Sequence, residues 1–147
     1  MSTYSNVHAT SAATATLASD IAARTRPGDA LLLQGPLGAG KTAFARAFLR
    51  AASRDPELEV PSPTFTLVQS YATPLGPVHH YDLWRLDGPH ALEELGWEEA
   101  LADVVLVEWP DRLGDRRPAG SLEVTLSASG HGRRAVLSGW PDRLGGS

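Results

Sequence analysis

The chain has 147 residues, with 13 Lys and Arg against 17 Asp and Glu, a net charge of −4, 42% hydrophobic and 20% charged residues, and no cysteine. That length and composition suit one globular domain; the missing cysteine excludes disulfides and thiolate metal sites, and the acidic balance argues against a protein that grips a nucleic-acid backbone unaided. There is no basic segment leading into a long apolar run, and no stretch approaches the roughly 18 apolar residues of a membrane span, so a cytoplasmic protein without a membrane segment is expected.

Thr3 to Thr10 is short and partly β-branched and reads as an edge strand. Ser11 to Arg26 is alanine-rich, with Leu17 and Ile21 four apart on one face, and reads as a helix stopped by Pro27-Gly28-Asp29. Residues Thr10 to Thr14 serve either as a plain helix cap or as a contact to adenine or ribose.

Ala30 to Leu33 is an apolar run of the kind found in buried strands, and it leads into Gln34-Gly35-Pro36-Leu37-Gly38-Ala39-Gly40-Lys41-Thr42. This fits G-x-x-x-x-G-K-[ST], the phosphate-binding loop of nucleoside triphosphatases, with Gly35, Gly40, Lys41 and Thr42 at the fixed positions. Gly38 and Gly40 let the backbone turn its N–H groups inward, past Ala39 and on to Ala43, where a side chain would block the phosphates. Lys41 offers a point charge to the β- and γ-phosphates, Thr42 a hydroxyl to Mg²⁺, and the helix that follows adds its positive N-terminal end. Lys41 is also the only lysine in the chain, every other basic side chain being arginine. A compact ammonium on a flexible stem is kept where phosphate recognition needs one.

From Ala43 the pattern is helical: Phe44, Ala47, Phe48 and Ala51 form an apolar stripe, and Arg46, Arg50 and Arg54 recur on another face. That arginine ladder is either a solvated face or a surface for RNA or an acidic partner. Pro61-Ser62-Pro63 pins an extended loop carrying Thr64 and Thr66, which becomes a strand by Tyr71. A threonine on such a loop can sense a γ-phosphate.

Ala72 to Pro77 reads as a turn and Val78 to Trp84 as the returning strand. His79 and His80 point to opposite faces of that strand, so they do not make a metal pair, whereas Asp82 shares a face with His80 and Trp84. Ala91 to Leu101 is helical, broken or bent at Gly96. Asp103-Val104-Val105-Leu106-Val107-Glu108-Trp109-Pro110 is the second strong signal: a buried strand that delivers a carboxylate beside the phosphates and ends at Pro110. Glu108 could ligate Mg²⁺ directly or through water, activate the attacking water, or simply cap the next helix.

Leu122 to Leu126 and Arg133 to Leu137 alternate around Ser127 to Gly132 and read as a hairpin closing one side of the sheet. Arg133 or Arg134 either reaches the nucleotide or stays solvated. Trp109-Pro110-Asp111-Arg112-Leu113-Gly114 recurs as Trp140-Pro141-Asp142-Arg143-Leu144-Gly145, and the second copy is read as a tail, dividing the chain into a P-loop ATPase domain over 1–138 and a C-terminal tail over 139–147.

Taken together, the phosphate loop, Ser62-Pro63-Thr64-Phe65-Thr66-Leu67-Val68, His80-Tyr81-Asp82-Leu83-Trp84-Arg85-Leu86, Leu92-Glu93-Glu94-Leu95-Gly96 and Leu106-Val107-Glu108-Trp109 resemble the TsaE (YjeE) family from about residue 10 to 137. The resemblance implies an α/β P-loop NTPase fold, a central mostly parallel sheet with added antiparallel strands, flanked by helices. It implies a small ATPase that uses ATP and Mg²⁺ and assists threonylcarbamoylation of the tRNA adenosine 3′ of the anticodon. The partners implied are TsaD and TsaB, with tRNA met indirectly through them. By position, Lys41 would hold the phosphates, Thr42 and Glu108 the Mg²⁺, Asp82 fills the family's other acidic position, either behind the metal ligands or positioning the water, Thr64 sits in a switch-like loop and Trp109 lies beside the site. Pro36 stands where the family commonly has an acidic residue.

Three other functions compete with this one. Guanine recognition resembling an Asn-Lys-x-Asp element is impossible here, since Asn6 is the only asparagine and Lys41 the only lysine. A small-molecule kinase would need a lid with converging arginines, for which Arg112, Arg116 and Arg117 are the candidates. A nucleotide-gated binding module would use ATP to control docking.

Overall fold

The computed structural model describes residues 3–9, 11–36, 40–61, 67–129 and 132–140. In chain order it forms β1 (Thr3–Ala9), α1 (Ser11–Arg24), β2 (Ala30–Gln34), α2 (Lys41–Ser53), β3 (Val68–Thr73), β4 (Gly76–Asp82), a 3₁₀ segment (Pro89–Leu95), α3 (Trp97–Ala100), β5 (Val104–Glu108), a second 3₁₀ segment (Pro110–Arg116), β6 (Leu122–Ser129) and β7 (Gly132–Ser138). All seven strands join one sheet in the order β1-β7-β6-β2-β5-β4-β3.

The centre of the sheet is parallel. β2 pairs with β5 on one side and β6 on the other, and β5 pairs with β4, all in the parallel sense. Antiparallel strands extend both flanks: β3 on β4, and β7 then β1 beyond β6. The α/β class with a parallel centre, antiparallel additions and flanking helices is therefore borne out. The β6–β7 hairpin forms as expected but does not close its side of the sheet, because β1 pairs outside β7 and forms that edge.

Strand periodicity splits the core in two. Leu31, Leu33, Val78, Val104 and Leu106 face a cluster with Ala18 and Ile21 of α1 and Phe44, Phe48 and Leu49 of α2. Ala30, Leu32, Tyr81, Val105 and Val107 face the other cluster with Leu92, Trp97 and Leu113. Because both faces are covered, the central strands are almost continuously apolar, which is why they stood out in the sequence. On the second face Tyr81 meets Trp97 edge-on, with ring centroids 5.1 Å apart, and its hydroxyl donates to the Leu95 carbonyl at 2.9 Å. Burial, with the Glu99 charge behind it, pushes the Tyr81 phenol up to about 12.

Several sequence boundaries move slightly. The turn expected over 72–77 narrows to Pro74 and Leu75, and the helix expected over 91–101 resolves into a 3₁₀ segment and a short α-helix hinged at Gly96, whose φ of 69° is left-handed. β5 ends where Trp109 turns left-handed (φ 62°), and Pro110 opens the next 3₁₀ segment rather than itself breaking the strand. The start of α1 falls at Thr10 and Ser11, and the expected cap there lies outside the described side chains.

Past the 138/139 division, Trp140 is 6% exposed in the larger core cluster, and its Nε1–H donates to the Gly120 carbonyl at 3.1 Å. Trp140 follows a strand, β7, as Trp109 follows β5, and both are left-handed (φ 51° and 62°). Both copies of the motif therefore begin just after a strand. The remainder of that copy lies outside the described residues.

Candidate functional site

The carboxyl ends of adjacent parallel strands are where α/β sheets bind ligands. Here β2 runs into the glycine-rich loop, and β4 and β5 end side by side, with Asp82 and Glu108 in direct register. Gly40 adopts φ 103° at the head of α2, a conformation for which glycine is suited, and no side chain caps that helix. The Phe44 N–H takes the Gly40 carbonyl at 2.9 Å, which leaves the N–H groups of Lys41, Thr42 and Ala43 without intrahelical acceptors. Gly40 to Ala43 line one wall of a cleft of about 270 Å³; Asp82, Trp84, Glu108 and Trp109 line the other.

The polar side chains in this cleft are tightly engaged. Lys41 is 5% exposed. Its ammonium donates to the carbonyls of Gly35 and, at 3.1 Å, Pro36, and sits 3.8 Å from the centre of the Trp109 ring. Burial lowers the Lys41 pKa, opposed by the charges of Glu108, Asp82 and Asp111. The Thr42 hydroxyl donates to Glu108 Oε1 at 3.0 Å. The other oxygen, Oε2, lies 2.7 Å from Nε2 of His80, a side chain with no exposed surface. Glu108 itself is 2% exposed.

Asp82 differs from Glu108. It is half-buried and accepts the Trp84 N–H at 3.2 Å. Burial raises its pKa, and the Glu108 charge adds to that; the Trp84 N–H, His80 and Lys41 work in the opposite direction. Two neighbouring carboxylates thus have different surroundings, Glu108 buried with a partner on each oxygen and Asp82 half-buried with one backbone donor. Trp84 is 44% exposed and packs at a 44° tilt against Trp109, with centroids 4.4 Å apart, behind the ring that covers the lysine.

Of the sequence-chosen residues, Gly40, Lys41, Thr42, Ala43, Asp82, Glu108 and Trp109 come together around this cleft. Gly35 reaches it through its carbonyl contact with Lys41. Gly38, Ala39 and Thr64 lie outside the described residues, as does the Arg133 side chain, whose backbone belongs to β7. The chain leaves the description at Pro61 and returns at Leu67, whose carbonyl accepts the Asp82 N–H at 2.9 Å.

Two residues of the cleft gained importance only in the structure. The sequence places His80 and Trp84 on the face of Asp82 and in a stretch that resembles the family, without a role for either; His79 and His80 do point to opposite faces, His79 bridging Ser70 and Asp103 while His80 meets Glu108. The arginines considered for a kinase lid lie elsewhere: Arg116 pairs with Glu93 and Glu98 at 3.2 and 3.6 Å, and Arg117 with Glu123 at 3.5 Å. No arginine is among the described residues lining the cleft. In the ladder on α2, the Arg50 Nε–H donates to the Leu58 carbonyl at 3.0 Å, a structural use.

The donor set suits a magnesium nucleotide. Mg²⁺ favours oxygen ligands, takes one or two from protein and leaves the rest to water and phosphate. Thr42 and Glu108 offer such oxygens beside an ammonium and the free N–H groups of a helix end. Among the described residues no group of three or more His, Cys, Asp or Glu forms an all-protein metal cage, and no helix is long and apolar enough to cross a membrane.

Comparison with known proteins agrees with this geometry. The family model described as threonylcarbamoyl adenosine biosynthesis protein TsaE matches residues 8–136. A protein named tRNA threonylcarbamoyladenosine biosynthesis protein TsaE from Rickettsia felis is 38% identical over 119 residues, covering 80% of this chain and 69% of that one. Its namesake from Bacillus subtilis is 35% identical over 117 residues, covering 78% and 72%. The crystal structure of Bacillus subtilis YdiB superposes with a TM-score of 0.75 at 27% identity, covering 97% of this chain and 88% of that one, which supports the P-loop fold.

Proposed function

The chain belongs to the TsaE family, and from that premise we propose that it binds and hydrolyses ATP with Mg²⁺ in this cleft, in support of tRNA threonylcarbamoyladenosine formation by a TsaB–TsaD pair. The observation that carries the proposal is the 3.0 Å bond between the Thr42 hydroxyl and Glu108. It joins the end of the phosphate motif to the acid of a different strand, beside a buried lysine.

In this scheme the N–H groups along Gly35, Gly38, Ala39, Gly40, Lys41, Thr42 and Ala43 cradle the phosphates. Lys41 exchanges its two carbonyl acceptors for phosphate oxygens, which accept a charge-assisted and stronger bond. Trp109 holds the ammonium on line throughout. Thr42 and Glu108 would hold the Mg²⁺, which would supply positive charge to the phosphates during transfer. Asp82 orients the attacking water, because its carboxylate is the less committed of the two and burial makes it more basic than an ordinary aspartate. Thr64 senses the γ-phosphate and Arg133 reaches the nucleotide from β7. The net charge of −4 favours a protein that meets tRNA mainly through its partners.

Phosphate release by the purified chain tests this directly. Slow, Mg²⁺-dependent hydrolysis without any acceptor is expected, and it is expected to vanish in Lys41→Ala. Unchanged turnover in that variant would overturn the proposal.

A further inference from the structure

His80 lies behind the cleft with no exposed surface, and only one of its ring nitrogens has a partner. Nε2 is 2.7 Å from Glu108 Oε2, whereas Nδ1 is buried and unpartnered. Against a carboxylate oxygen at this distance Nε2 serves as the donor, since an unprotonated Nε2 would set one lone pair against another.

The placement of His80 follows from the sheet. Asp82 and Glu108 are register partners on adjacent parallel strands, and His80 is two residues before Asp82 on the same face. From there its ring reaches across to the far oxygen of Glu108 from below, while Thr42 on α2 approaches the near one. We infer that His80 is a positioning residue whose ring N–H holds Glu108 Oε2, 2.7 Å away, so that Oε1 is the oxygen turned towards Thr42 and the position the metal would take. This rests on the proposed function and refines it. Glu108 would then offer Oε1 to the metal while Oε2 is engaged by His80, which leaves Asp82 as the less committed carboxylate.

The test compares wild type with His80→Leu, which removes the donor, and His80→Gln, whose amide N–H reaches about where Nε2 does. The readout is the Mg²⁺ concentration giving half-maximal phosphate release at saturating ATP, beside nucleotide affinity without Mg²⁺. H80L is expected to raise the half-saturating Mg²⁺ by about 10–100-fold, as loss of an outer-shell partner does, with Mg²⁺-free affinity unchanged. H80Q is expected to return close to wild type. Wild-type Mg²⁺ dependence in H80L, or an H80Q as impaired as H80L, would overturn the inference. Nitrogen-15 spectra of the wild-type histidine rings, with the His80 signals identified by their loss in H80Q, add a readout that needs no activity. A proton on Nε2 is expected, and an unprotonated Nε2 overturns the inference. Absent hydrolysis in wild type would instead strike the proposed function, leaving the ring spectra to judge His80.

Discussion

The unequal surroundings of Glu108 and Asp82 give the sharpest consequence of the site geometry. Glu108→Ala removes an acceptor from two donors at once, the Thr42 hydroxyl and the His80 ring. Each donor left unmatched costs about 1–3 kcal/mol, so a loss of about 2–6 kcal/mol in unfolding free energy is expected, nearer the lower end because Thr42 is only partly buried. Asp82→Ala forfeits one 3.2 Å bond from the Trp84 N–H on a group whose charge burial already disfavours, so a loss of no more than about 1 kcal/mol is expected. Urea denaturation without nucleotide measures both. For function the better variant is Glu108→Gln, because its amide oxygen can accept one donor while its N–H₂ meets the rotatable Thr42 hydroxyl. The fold is kept and the charge removed. Titration calorimetry with a non-hydrolysed ATP analogue is expected to show Mg²⁺-dependent binding at least about tenfold weaker in E108Q, and little changed in Asp82→Asn, whose defect should appear in turnover. Normal Mg²⁺-dependent binding in E108Q with its loss in D82N would refute the assignment and exchange the two roles.

Two further outcomes concern stability. Because burial raises the Asp82 pKa above its unfolded value, the native state binds that proton more tightly. The stability it contributes is present at acid pH and lost as pH rises through the raised value. Asp82→Asn should therefore stabilise the metal-free protein at neutral pH, with the gain shrinking as pH falls through the raised value towards the ordinary aspartate value of about 4 and levelling off below it; a gain that grows towards acid would contradict the sign. Gly139 has φ +119°, and a Cβ there would meet the Ser121 carbonyl oxygen at 2.5 Å, a backbone atom that cannot swing aside. Gly139→Ala should lower stability by at least about 1–3 kcal/mol, and an unchanged denaturation midpoint would show that Trp140 does not need this close approach.

Much of the site was legible because its signals are local. The run before Gly35, the Lys41-Thr42 pair and the run ending at Glu108 announce buried strands with chemistry at their carboxyl ends, and each needs only its own neighbours to form. What stayed hidden depends on residues far apart in sequence. Nothing near Leu122 says that β6 lies against β2, or that β1 pairs outside β7. His80 belonged with Glu108, 28 residues away, and only the register of β4 on β5 brings them together. Trp140 looked like part of a tail because the strand before it had been read to end at Leu137 and its motif echoed Trp109. Its burial comes from packing against the larger core and from the Gly120 carbonyl, neither of which has a local signature. The helical stretch around Gly96 was recognised, but its 3₁₀ first half was not, since sequence periodicity over seven residues separates the two helix types poorly.

The central claim is that this cleft powers a modification carried out elsewhere. It is tested most directly by reconstitution: purified TsaB, TsaD, tRNA and threonylcarbamoyl-adenylate, with and without this protein and ATP, followed over several turnovers of tRNA modification. Repeated turnover that requires wild-type protein and ATP, and fails with Lys41→Ala, is the result expected. Modification proceeding equally well without the protein would contradict the account.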